Sequence, residues 1–230
     1  MSVNQVVSKQ RVSDHGEVYT HPREVNAMLD LVKQETERID STFLEPACGT
    51  GNFLVEILSR KLAVVKARYA KSQLEYERHA VVAIASIYGI DILADNVAAC
   101  QQRLFDIFNQ QYTALYKAHC KAAYLNTARF ILACNILHGD ALTLKTIGDE
   151  QTLPKPIVFS QWKAVSGSLI KRHDYQFSGL FEDKQSDKNN DLFIKPKKSL
   201  MSDIGNKAFI PEHIQEFPPT NYLRLADATS

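Results

Sequence analysis

The sequence predicts an α/β fold: a doubly wound, mostly parallel sheet with helices packed on its faces. Two observations predict it. Between residues 22 and 142 the apolar positions alternate between helical spacing and short strand-like runs, in the order helix, strand, helix, strand, helix, strand. The first strand also runs directly into a loop with two glycines that opens a helix, Glu45-Pro46-Ala47-Cys48-Gly49-Thr50-Gly51-Asn52-Phe53. Open α/β sheets hold ligands at such carboxyl-end crevices.

Each element has its own justification. From Pro22 onward Val25, Met28, Leu29 and Val32 recur at three- and four-residue spacing, with Thr20 expected as the N-cap and Pro22 in the first turn. Residues 41–44, Ser-Thr-Phe-Leu, form a short apolar strand. After the glycine loop, Phe53, Leu54, Ile57, Leu58, Leu62 and Val65 line one helical face. Residues 66–80 are charged and helical in composition. Residues 81–92 read as a helix end followed by a strand that closes on Tyr88-Gly89-Ile90-Asp91-Ile92. Val97, Cys100, Leu104, Ile107, Phe108, Tyr112 and Leu115 hold the period of a long helix, and another covers roughly 117–132. The strand 135–137 leads into His138-Gly139-Asp140-Ala141-Leu142. Residues 156–162 are expected to form a fourth strand, turned at Ser166-Gly167-Ser168 into another over 169–177. Residues 1–16 read as a mobile arm, 17–180 as the domain, and 181–230 as a polar linker and tail, with residues 182–198 rich in Asp, Asn and Lys.

Size and composition bound the function. A chain of 230 residues holds one full α/β domain with a real core. No apolar run reaches the length of a bilayer span, and the polar start lacks the apolar core of a signal peptide. The expectation is a cytoplasmic protein with no membrane partner. The four cysteines are scattered with no C-x-x-C pair, which argues against zinc and for buried thiols. His15, His21, His138 and His173 form no spaced cluster with acids, so no metal site is expected. A net charge of +1 does not mark a dedicated nucleic-acid binder. Residues 155–200 nevertheless carry nine Lys/Arg against five Asp/Glu, about +4. A solvated face is the default reading of that excess, and a phosphate-facing strip the functional one.

The glycine loop carries the strongest chemical signal. Gly49 and Gly51 permit backbone angles and close approach that a Cβ would block. The helix that follows directs unsatisfied N–H groups at whatever binds. The spacing is not that of a dinucleotide loop, which needs a third glycine, nor of a P-loop, which needs Gly-Lys-Ser/Thr.

As a whole, the nonapeptide resembles motif I of the adenine-specific DNA methyltransferases of type I and fused restriction–modification systems. Three further segments match in order. Gly16-Glu17-Val18-Tyr19-Thr20, with Pro22 close behind, resembles the segment preceding motif I, although here His21 intervenes before the proline. Tyr88-Gly89-Ile90-Asp91-Ile92 is similar to the strand whose terminal acid holds the cofactor ribose. His138-Gly139-Asp140-Ala141-Leu142 resembles the step that flanks the cofactor adenine. The resemblance covers residues 15–145 and implies a Rossmann-like methyltransferase sheet with a shortened far half, S-adenosyl-L-methionine (SAM) as cofactor, and DNA as partner.

The resemblance also implies roles. Tyr19 and Thr20 would lie against the methionine end of SAM, and Glu45 would reach its amino group. The backbone of Pro46, Ala47, Cys48, Gly49 and Gly51 would wrap the methionine portion, and Phe53 would close the pocket. Asp91, with Ile92 beside it, would accept from the ribose hydroxyls, and Asp140 from the adenine amino group, with Ala141 adjacent. A carboxylate suits the ribose because it accepts two hydrogen bonds and is ionised at neutral pH. Structural readings stand beside these. Phe53 fits the apolar face of its helix, Asp91 or better Asp95 fits an N-cap, and Asp140 fits a turn.

The family's acceptor motif, Asn/Asp-Pro-Pro-Tyr/Phe at the end of the fourth strand, is not in this sequence. There an amide or acid and a carbonyl accept the hydrogens of the adenine amino group, and the aromatic stacks on the flipped base. Phe159-Ser160-Gln161-Trp162 stands where it should fall. One reading makes Gln161 the acceptor and Trp162 the stacking residue; the other makes both structural. A partner subunit carrying the missing parts is the alternative to a complete enzyme.

Overall fold

The computed structural model describes residues 20–148, 152–180, 200–201, 207–208 and 213–227. The expected arm, the polar segment 182–198 and Tyr19 lie outside the described residues. In chain order the elements are α1 (Pro22–Asp30), α2 (Lys33–Thr36), β1 (Phe43–Glu45), α3 (Asn52–Tyr69), α4 (Gln73–Ala85), β2 (Ile87–Asp91), α5 (Ala94–Tyr116), α6 (Ala122–Asn135) and β3 (Ile136–Asp140). Then come β4 (Lys145–Thr146), the hairpin β5 (Val158–Ser166) and β6 (Leu169–Gln176), a small pair β7 (Leu200–Met201) and β8 (Lys207–Ala208), and β9 (Gln215–Glu216) and β10 (Thr220–Asn221) before a 3₁₀ turn over Tyr222–Asp227.

The central sheet has the order β1-β2-β3-β4. The first three strands are parallel and β4 is antiparallel. Strand alternation divides its side chains between two cores. Ile87 and Ile136 point to the large core under α3–α6, while Tyr88, Ile90 and Leu137 point to a smaller one closed by Ile157, Phe159 and Phe177. The connections β1→β2→β3 step in one direction. Right-handed crossovers therefore deliver their helices to one face of the sheet. The fold is the expected α/β type with a mostly parallel sheet; its helices lie on one face, and the second face is covered by the β5–β6 hairpin in place of helices.

Residues 156–162 were expected as a fourth strand of the main sheet. They belong instead to a separate antiparallel sheet, order β10-β6-β5, with β9 also on β6. The tail, expected outside the domain, returns to it from residue 213: Tyr222 and Leu225 are buried in the main core. The helix expected over 117–132 starts later. Lys117, at φ 47°, ends α5 and opens a short 3₁₀ turn over Lys117–His119, and the next α-helix starts at Ala122. The first N-cap also moves by one residue. His21, extended ahead of Pro22, accepts from the N–H of Arg23 at 3.1 Å, in place of Thr20.

Two charged groups sit inside the helical layer. Glu77 is wholly buried and accepts from Lys121 (2.7 Å), Tyr112 (2.5 Å), Tyr222 (2.7 Å) and Gln73 (2.8 Å), tying α4, α5, α6 and the tail together. Burial pushes its carboxyl up, and these four hydrogen bonds outweigh burial and hold it below the usual carboxylate range. Lys61, also buried, donates to Ile39 O at 3.2 Å, to Ser41 O and to Ser86 Oγ at 2.5 Å, beneath the amino ends of β1 and β2.

Candidate functional site

β1 brings the chain to the carboxyl edge of the sheet, where residues 46–51 turn back into α3. Both glycines of the turn are left-handed, Gly49 at φ +51° and Gly51 at φ +86°. A residue with a Cβ spends roughly 1–2 kcal/mol to adopt that region. Their surroundings differ. A Cβ on Gly49 would meet nothing within 4 Å, whereas one on Gly51 would lie 2.6 Å from Cys100 Sγ. Gly49 thus faces open space above the loop, and Gly51 lies flush against α5. Cys48 Sγ is buried on the inner side, where its contact with Cys100 and its burial push the thiol well above its ordinary value.

Asp91, ending β2, joins the pieces. Its Oδ2 accepts from Gly49 N at 2.8 Å, and its Oδ1 accepts from Leu93 N at 2.9 Å and Asn96 Nδ2 at 3.2 Å. The carboxylate therefore braces both the glycine loop and the start of α5. The bracing expected of Asp95 falls to Asp91; Asp95 accepts from the N–H of its neighbour Asn96. From the outer side, Arg103 Nη1 donates to Thr50 O at 2.6 Å, Thr50 Oγ1 at 3.1 Å and Asn52 Oδ1 at 2.8 Å. Asn52 Nδ2 in turn donates to Thr20 O at 3.4 Å.

The other expected residues stand around this loop. Glu45 is half-buried. Burial raises its carboxyl, and the Ala47 N–H partly offsets that. Pro46 and Ala47 are exposed, and Phe53 is half-buried against the main core, as its helical face requires. At the end of β3, Asp140 accepts from Leu142 N at 2.8 Å, a turn that holds its carboxyl below the usual range. His138 Nε2 donates to Ile92 O at 3.0 Å, linking the ends of β2 and β3. The Ile92 side chain is exposed there, and Ala141 is half-buried against the smaller core. The structure thus gathers Thr20, residues 45–53, Asp91, Ile92, Asp140 and Ala141 at one end of the sheet. Among the described residues no His/Cys/Asp/Glu group is arranged to hold a metal.

Gln161 and Trp162 are not in this group. Trp162 Nε1 donates to Asn135 Oδ1 at 3.0 Å, and Asn135 Nδ2 donates to Ala85 O and Ile87 O at the amino end of β2. Trp162 also packs edge-on against Phe130, 5.9 Å between centroids. From Ile87 to Asp91 is four residues, about 13 Å at ~3.3 Å per residue. Trp162 lies about that far below the glycine loop because β5 runs down the sheet face as half of a hairpin. Gln161 lines a groove there with Thr42, Leu44, Tyr88, Phe159 and Tyr175. Trp162 is thus held in the structural role weighed for it, and Gln161 is an exposed residue of the groove.

Sequence reading missed Arg103, Asn52 and the supporting part of Cys100. Cys100 counted only as an apolar position in a helical repeat. The available signal was the loop itself, whose Gly51 requires a close neighbour and whose carbonyls require donors.

The donor and acceptor set fits SAM. Gly49 leaves open space over the loop, α3 begins without a side-chain cap and so presents unbonded N–H groups, and acids end two adjacent strands. A parallel sheet with a glycine loop after its first strand and acids at the ends of the next two defines a Rossmann-like methyltransferase domain. The model of one family, UPF0020: RMKL-like, methyltransferase domain, matches residues 24–153, more than half of the chain, and the chain belongs to that family. The match takes in the glycine loop, Asp91 and Asp140 and ends before the hairpin. It supports a methyltransferase without specifying adenine in DNA. No curated protein and no solved structure matches the chain.

Proposed function

We propose that the chain binds SAM at the carboxyl ends of β1, β2 and β3 and serves in methyl transfer to the exocyclic amino group of adenine in DNA, within a restriction–modification or defence system. The observation that carries the cofactor half is the link from Asp91 to Gly49, which sets a carboxylate and an open glycine backbone side by side. Asp91 would take the ribose hydroxyls and Asp140 the adenine amino group. Residues 47–51 would wrap the methionine portion, and Glu45 would reach its amino group. When bound, the cofactor supplies an electrophilic methyl group on a sulfonium. The chain contributes position, holding that methyl in line for direct displacement. The acceptor half rests on the four ordered motifs and on the basic excess over residues 155–200.

A second reading is favoured by two observations. Among the described residues β1 pairs with β2 alone, leaving its other edge open, and Trp162 lies at the far end of the sheet. On this reading the chain is the cofactor-binding subunit, and a partner supplies the acceptor motif beside β1. Ligands of open α/β sheets sit where strand order reverses, and a partner strand added at the open edge of β1 would create that point here.

Calorimetry with SAM tests the first half. Asp91→Ala is expected to weaken binding at least tenfold, and unchanged affinity would overturn the ribose assignment. Incubation with methyl-labelled SAM, with genomic DNA and total RNA side by side, tests the acceptor. Label in adenine of DNA supports the first reading. Label only in RNA replaces its substrate. SAM binding without label in either favours the partner-dependent reading.

A further inference from the structure

We infer that Arg103 and Asn52 form a latch that positions the glycine loop and the segment at Thr20 around the methionine end of the cofactor. The inference rests on the reading that residues 47–51 wrap that end. A loop with two left-handed residues in three positions has little local reason to keep its shape. Three separate supports hold it. Asp91 supports it from below at Gly49 N, and Cys100 fills the space against Gly51. Arg103, one turn beyond Cys100 on α5, supports it from outside. Three acceptors on Thr50 and Asn52 converge on a single guanidinium nitrogen at 2.6–3.1 Å.

The latch also reaches across the chain. Asn52 accepts from Arg103 through Oδ1 and donates through Nδ2 to Thr20 O. Its amide is thereby oriented, and the segment before α1 is tied to the first residue of α3. Arg103 is half-buried and acts through Thr50 and Asn52, so it is a positioning residue. Asp91 acts on the same loop from the ribose side, so the two supports serve different parts of the ligand.

That difference supplies the test. SAM and 5′-methylthioadenosine share the adenosine portion, and only SAM carries the amino-acid end. Calorimetry with both ligands on the full chain is expected to show Arg103→Met weakening SAM at least tenfold and 5′-methylthioadenosine less than threefold. Arg103→Lys, which keeps one donor able to reach the three acceptors, should recover most of the SAM affinity. Asn52→Ala should reproduce the Arg103→Met pattern. Equal losses for both ligands would show a loosened fold and overturn the latch, as would unchanged SAM affinity in Arg103→Met. A wild-type chain that binds neither ligand removes the cofactor reading itself, and the latch falls with it.

Discussion

Substituting alanine at each glycine of the loop separates two costs that act together at Gly51. In Gly49→Ala only the backbone objects: φ is +51° and the new methyl meets nothing within 4 Å. The expected loss is about 1–2 kcal/mol. In Gly51→Ala the same backbone cost applies at φ +86°, and the methyl also falls 2.6 Å from Cys100 Sγ. Cys100 is fully buried on a 23-residue helix, so its thiol gives way only by pressing on packed neighbours. Overpacking of this kind adds roughly 1–3 kcal/mol, for a total of about 2–5 kcal/mol. Cys100→Ala alone should cost on the order of 1 kcal/mol for the small cavity it leaves. The double variant Gly51→Ala/Cys100→Ala should then be more stable than the sum of the single losses predicts, by about 1–3 kcal/mol, because the steric term is gone and only the backbone term remains. Urea unfolding at constant slope measures all four proteins. Equal losses at Gly49 and Gly51, or strict additivity in the double variant, would refute the claim that Gly51 is glycine because of Cys100.

Three more outcomes follow from the buried polar groups. Burial lowers Lys61 to about 7, below its unfolded value, so the folded chain binds fewer protons than the unfolded one above that pH. Stability should therefore rise between pH 7 and 9.5, by at most about 3 kcal/mol, and Lys61→Met should flatten that rise in urea unfolding; an unchanged slope would contradict the assignment. Glu77→Leu leaves Tyr112, Tyr222 and Gln73 without their shared acceptor and should cost about 3 kcal/mol or more by thermal unfolding; a neutral result would mean the network contributes little. Trp162→Phe removes the donor to Asn135 and should cost about 1–2 kcal/mol while leaving SAM affinity unchanged by calorimetry; a loss of affinity at unchanged stability would return Trp162 to the active site.

Much of the carboxyl end of the sheet was legible in the sequence because it is local. The turn from β1 into α3 needs residues of particular backbone freedom at adjacent positions, and Gly49-Thr50-Gly51 states that need directly. The apolar spacing of Leu54, Ile57, Leu58, Leu62 and Val65 likewise announces a helix with one buried face, and those residues are buried. The same pattern hid Lys61, because a lysine inside an apolar stripe is identified only by the carbonyls that come to meet it. The hairpin was legible as two strands and a turn. Which sheet it joins was not, because an isolated strand carries its pleat in its sequence but not its neighbour.

The sequence by itself determined the order of the main helices and strands through β3, the glycine loop and the acids that end β2 and β3, since each depends on residues adjacent along the chain. The tertiary structure alone decided what those residues touch. It assigned Asp91 to the loop and the helix start together, brought Cys100 and Arg103 to the glycines across some fifty residues, and carried Trp162 to the opposite end of the sheet. The physical reason is that backbone conformation is set by near neighbours, while packing and hydrogen-bond partners are set by which surfaces the crossovers bring into contact.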